Sequence, residues 1–198
     1  AYFKEKKVWD KAALVIQKVI DLKPKPTTIN DYFDLMQAHY KNDDYARSRD
    51  LSVVMRDNFP DQVFGYDWAF INSVILDTVK VDSIAVPDAI KLFDFSQKDS
   101  IKFKGQYIKS ARFLAGFYIN KAKDKEKSLL YFQRWHDIDT ANAVKIQEYI
   151  DQIKKMPSGT GPKQTGTTPT KGTTPAKAGT KPAAKKPKTT TSKAVVKN

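Results

Sequence analysis

Two histidines, His39 and His136, are the side chains best suited to proton transfer near neutral pH. They belong to different helical segments, and neither has a second histidine at metal-ligand spacing. For His39 a packed side chain is expected. His136 follows Trp135 on a helix and reads as a half-exposed polar residue. Carboxylate pairs occur at Asp43–Asp44 and at Asp137/Asp139. A dyad for acid–base work needs an apolar cleft to separate its two pKa values. These pairs lie in or beside turns, where solvation and helix capping account for them. The patterns HExxH, GxSxG, GxxxxGKS and GxGxxG do not occur. The chain has no cysteine, which excludes disulfides, thiolate metal sites and thiol nucleophiles. No catalytic group, cofactor or metal is therefore expected, and the chain does not read as an enzyme. The three Trp and nine Tyr could serve as base-stacking platforms, but at helical spacing they are expected in the core.

The elements that carry these residues divide into two populations. Residues 157–198 hold nine Lys, eleven Thr, six Pro and five Gly, with no acidic or aromatic residue. Such a segment buries too little apolar surface to offset an ordering entropy of roughly 1–2 kcal/mol per residue, and disorder is expected there. The body, residues 1–156, holds every aromatic residue. Of the formal net charge of +13, the tail supplies nine, which leaves the body at +4. Nucleic-acid binding through the fold is therefore not indicated. The tail reads as a linker, or as a basic strand adhering to nucleic-acid or lipid phosphates. This is the alternative to a binding function of the body. No apolar run approaches the ~20 residues that cross a bilayer. The opening AYFKEKKVW reads as a cut or processing site, with any targeting signal expected upstream.

The body reads as consecutive helices. Ala12, Val15, Ile16, Val19 and Ile20 form one helical face within Lys11–Lys23, and Pro24 and Pro26 stop it. A second helix is expected over Asp31–Lys41 with Asn30 as its cap. The turn Asn42-Asp43-Asp44 leads to a third helix, Tyr45–Asn58, ending before Pro60. Gly65–Leu76 is apolar on most sides, as in a helix packed between neighbours. The next helix has Pro87-Asp88 in its first turn and runs to about Phe95. Phe103–Lys121, Lys127–Asp137 and Ala141–Lys155 follow. The last has an apolar face of Val144, Ile146, Tyr149, Ile150 and Ile153 and a charged opposite face, as suits a capping helix. Val79–Val86 alternates, but it has no second run to pair with, so no strand is expected.

Helix, tight turn, helix and terminal Pro in about 34 residues resembles the tetratricopeptide repeat. Tyr32, Leu35, Met36 and His39 take that family's positions 4, 7, 8 and 11, and Ser48, Ser52, Met55 and Pro60 take 20, 24, 27 and 32. Trp68, Ile71, Asn72 and Ile75 match the first helix of the next unit, with Ala89 and Phe93 in its second helix. Ala115, Gly116, Ser128, Phe132 and Trp135 follow in a further unit. Ala12, Ile16, Val19 and Pro24 resemble the second helix of an earlier one. Met36, Asn72 and Trp135 depart from the small residues usual at their positions. The resemblance covers residues 1–156 and implies an all-α fold of antiparallel helix pairs, stacked as a right-handed α-solenoid.

It further implies a scaffold that binds a peptide or partner protein within a multiprotein assembly, on the concave face formed by positions 2, 5, 9, 12 and 13 of each first helix. Those positions fall on Asn30, Phe33, Gln37, Tyr40 and Lys41, on Tyr66, Ser73 and Asp77, and on Phe113, Phe117, Asn120 and Lys121. The texture is similar to envelope-associated repeat proteins of Gram-negative bacteria. Asp77-Thr78-Val79, Asp82-Ser83-Ile84, Asp99-Ser100-Ile101 and Asp139-Thr140-Ala141 resemble acceptor tripeptides for periplasmic O-glycosylation. A periplasmic or envelope location is expected on that ground, with the cytoplasm as the alternative.

Overall fold

A computed structural model describes residues 8–23, 27–77 and 83–157. The expected disordered tail lies almost wholly outside the described residues, as does the first half of Val79–Val86. Among the described residues there are eight α-helices and no strand. They are α1 (Trp9–Leu22), α2 (Ile29–Lys41), α3 (Tyr45–Asn58), α4 (Val63–Asp77), α5 (Ala85–Ser96), α6 (Lys104–Asn120), α7 (Lys125–Ile138) and α8 (Ala143–Lys155), with a 3-10 turn Gln97–Asp99 after α5. Substantial packing is confined to helices adjacent in sequence. That is the arrangement of stacked hairpins, in which each unit buries its apolar side only against the next. Among the described residues no helix is long and apolar enough to cross a membrane.

Helix starts follow local side-chain chemistry. α2 begins at Thr28, not at the expected Asn30. The Thr28 side chain accepts from the Asp31 backbone N–H, and the Asp31 carboxylate accepts the Thr28 backbone N–H at 3.0 Å. This reciprocal capping box satisfies two orphan donors, which Asn30 could not do. Asp44 caps α3 and Asp124 caps α7, each accepting the backbone N–H three residues on. The hairpin turns share a second device. Asp43, Ser83 and Lys123 adopt φ of 58°, 48° and 55°, each forty residues after the last. These are the positive-φ non-glycine residues among those described, and each lies between the two helices of a pair.

The core comprises three apolar clusters. Ala12 and Ala13 of α1 meet Leu35 and Ala38 of α2. Phe70, Leu92, Phe93, Tyr107 and Leu114 join α4, α5 and α6. Ala115, Phe132, Ile146, Ile150 and Ile153 close the far end. Two expected faces rotate. In α1, Val15 and Val19 are exposed and Ala13 is buried, because the seam toward α2 runs through Ala12, Ala13, Ile16 and Ile20. In α8, Val144 is 80% exposed, because the buried stripe of that helix runs through Ile146, Ile150 and Ile153, with Tyr149 meeting Phe132 beside it.

The third unit is also out of the expected phase. Leu35, Met36 and Ala38 are buried in α2, and Ala69, Phe70 and Asn72, each 34 residues on, are buried in α4. The unit thus starts two residues earlier than a placement with Trp68 at position 4, and Tyr66 takes that position.

Between the first and second clusters the seam is polar. The Asp88 carboxylate of α5 accepts from Arg49 Nη2 at 2.8 Å and from Ser73 Oγ at 2.6 Å. Its other oxygen lies 3.4 Å from Arg56 Nη1. Three helices are tied together at one carboxylate that is itself buried. Helices α3 and α4 approach closely here. A Cβ on Gly65 would stand 2.3 Å from the Arg56 backbone nitrogen, so only glycine fits.

Candidate docking groove

The first helices of successive pairs, α4, α6 and α8, line a face with two adjoining cavities. The larger, about 520 Å3, lies between α4 and α6. Ile71, Val74 and Ile75 of α4 form one wall, and Gly105, Ile108, Lys109 and Arg112 of α6 form the other. Phe70 and Phe113 complete the lining, with ring centroids 5.1 Å apart in an edge-to-face pair. The smaller, about 340 Å3, lies between α6 and α8 and is more polar; Ile108 and Arg112 line both.

Helix geometry explains the groove. The buried face of α6 carries Tyr107, Ser110, Ala111, Leu114 and Ala115. Residues 105, 108, 109 and 112 fall on an adjacent stripe by the i, i+3, i+4, i+7 rule. Gly105 has nothing within 4 Å of a Cβ built on it and no positive φ. Glycine inside a helix is less stable than alanine by about 0.5–1 kcal/mol, and neither backbone conformation nor close packing requires it here. Its effect is to leave the mouth of the groove open.

The electrostatics are uneven. Lys109 Nζ pairs with Asp67 Oδ1 of α4 at 2.6 Å across the rim, and Gln106 donates to the same carboxylate at 3.4 Å. Asp139 accepts Trp135 Nε1 at 3.0 Å and Asn142 Nδ2 at 2.9 Å. The Trp135 bond leads in holding its pKa below the ordinary carboxylate value, against the opposing effect of burial. Arg112 and Lys145 are exposed, and among the described residues neither is in an ion pair.

The residues expected on a docking wall are distributed as follows. Phe113 lines the groove. Phe33 and Tyr40 of α2 form an aromatic wall with α4, meeting Trp68 edge-on at 6.2 and 5.0 Å, and Phe33 also meets Phe64 at 5.8 Å. Gln37 is half-buried on that helix, Asn30 and Lys41 are exposed, and the Lys41 ammonium lies 6.0 Å from the Tyr40 ring. Phe117 packs on Tyr118 at 5.5 Å. Asn120 donates to the Gly116 carbonyl at 2.9 Å, and Lys121 is exposed.

Three others are engaged elsewhere. Ser73 is buried in the Asp88 cluster. Asp77 accepts the backbone N–H of Ile84 and Ala85 at 2.8 and 2.9 Å, capping α5. Tyr66 stacks on Phe95 at 4.6 Å.

Ile71, Val74, Ile75, Gly105, Ile108, Lys109 and Arg112 were not foreseen. The α4 wall becomes legible only once burial has fixed the phase of α4. Moved back two residues, positions 2, 5, 9, 12 and 13 fall on Phe64, Asp67, Ile71, Val74 and Ile75.

The histidines take local roles. His39 Nδ1 lies 3.2 Å from Asp44 Oδ2, and His136 Nδ1 lies 3.4 Å from Asp137 Oδ1.

No family model matches the chain, and no curated protein matches it. The chain is similar in structure to the C-terminal part of a TPR repeat-containing protein from Cytophaga hutchinsonii, with a TM-score of 0.62 and 24% identity. The match covers 78% of this chain and spans 57% of the length of that one. At this identity the likeness establishes the fold, a tetratricopeptide-like α-solenoid.

Proposed function

We propose that this chain is a non-catalytic scaffold whose α4–α6 groove docks a segment of a partner protein. The observation that carries the reading is the groove itself, an apolar trough of about 520 Å3 on the first-helix face. Concave sites with mostly apolar linings and a few placed polar groups are where ligands bind. An amphipathic segment lays its apolar side into such a trough through anchors at helical spacing. Ile71, Val74, Ile75 and Ile108 suit branched aliphatic anchors, and the rim pair Asp67–Lys109 holds the two walls in register. The fold supports an interaction role by analogy.

The test exploits Gly105. Peptides selected from a random displayed library on the full chain are titrated against wild type and Gly105→Trp. The indole fills open space, so helicity is expected to be unchanged while affinity falls by about tenfold or more, roughly 1.4 kcal/mol. Selected peptides that bind Gly105→Trp as tightly as wild type would remove the groove from the account. So would a library that yields no binder.

A further inference from the structure

We infer that the segment docked in this groove is acidic as well as aliphatic, with Arg112 pairing a partner carboxylate between two apolar anchors. The inference rests on the groove reading above and adds the sign of the ligand's charge.

The polar groups along the lining are already sorted. Lys109 is neutralised by Asp67 at 2.6 Å. Asp139 is satisfied by Trp135 and Asn142 and is held in its charged form. What remains is Arg112, exposed and shared by both cavities, and Lys145, exposed on the far wall of the second. Neither has a counterion among the described residues. A docked segment excludes water from the wall and strengthens whatever charge interaction remains there. A cationic segment would face two like charges, offset only in part by the Asp139 carboxylate, which is buried behind Trp135 and Asn142. An anionic one would find a guanidinium fork that matches a carboxylate in two-point geometry. Ile108 beside Arg112 keeps the carbon path of the groove continuous, so anchor and carboxylate fall on neighbouring turns of one ligand.

Three fluorescein-labelled peptides of about 14 residues reach across two interhelix spacings. They share the same Leu and Ala positions and carry Glu, Gln or Lys elsewhere. Each is titrated by anisotropy with the full chain, with Arg112→Glu, with Lys145→Glu and with Gly105→Trp, at low and high salt. The Glu peptide is expected to bind wild type about tenfold tighter than the Lys peptide, with the gap narrowing as salt screens it. Arg112→Glu is expected to reverse the order, and Lys145→Glu to shrink the gap. A Glu preference that persists in both charge variants would come from the Lys-rich segment instead, and overturns the inference. If Glu and Lys peptides bind wild type equally and both are lost in Gly105→Trp, the groove stands and the charge assignment falls. If none of the three binds, both fall together.

Discussion

Asp31 does two jobs at the start of α2. It closes the capping box with Thr28 and bonds the Lys23 ammonium at the end of α1. The Lys23 bond, followed by the Thr28 backbone N–H, draws its pKa down from 3.8 to about 2. A folded-state pKa below the unfolded value means stability that is complete above the ordinary carboxylate range. It drains away as pH falls from there to about 2. Asp31→Asn keeps the shape and an amide oxygen that can accept the Thr28 N–H, but it loses the charge and the ion pair with Lys23. Its melting temperature is expected to lie below wild type near neutral pH and to converge with it near pH 2. Parallel thermal melts across that range are the check, and a constant offset would contradict the linkage. His39 and His136 are used locally, each beside an Asp at a turn or helix end.

Between elements, the controlling contact is Asp88, which joins α3 and α4 to α5 through Arg49, Ser73 and Arg56. Removing one partner from a buried ionic group leaves the others desolvated and unpaired, at about 3–5 kcal/mol. Asp88→Ala, followed by urea unfolding, is expected to show a loss of that size; a change under 1 kcal/mol would mean that water replaces the carboxylate without penalty. Individual helices were readable. Tyr45–Asn58 falls where expected because Asp44 and Pro60 punctuate it, and α5 carries Pro87 in its first turn as anticipated. The phase of α4 was not readable. Tyr66 and Trp68 are both aromatic and two residues apart, and only the burial of Ala69, Phe70 and Asn72 sets the phase. The groove was hidden for a related reason. Ile71 and Ile75 look like core in a helix apolar on nearly every side, and their exposure depends on where α6 lies. The Asp88 cluster was invisible because Arg49 and Ser73 reach it across separate helices, beyond any local period.

The whole body behaves as a row of neighbours, with substantial packing only between consecutive helices. Stability in such an array is close to a sum of unit and interface terms, so damage should remain local. Ile150 is 1% exposed in the terminal cluster with Phe132 and Ile153. Ile150→Ala is expected to lose about 2–5 kcal/mol from that cluster. Hydrogen exchange should accelerate in α7 and α8 while amides of α2 and α3 keep their wild-type rates. Uniform acceleration along the chain would instead show a single cooperative block.

The left-handed residues Asp43, Ser83 and Lys123, evenly spaced, bear on how such a chain changes length. Each stands two residues before the first residue of the second helix of its pair. Gain or loss of a forty-residue cassette between two of them would keep a left-handed residue at the splice, and the trough would grow or shrink by whole pairs of helices.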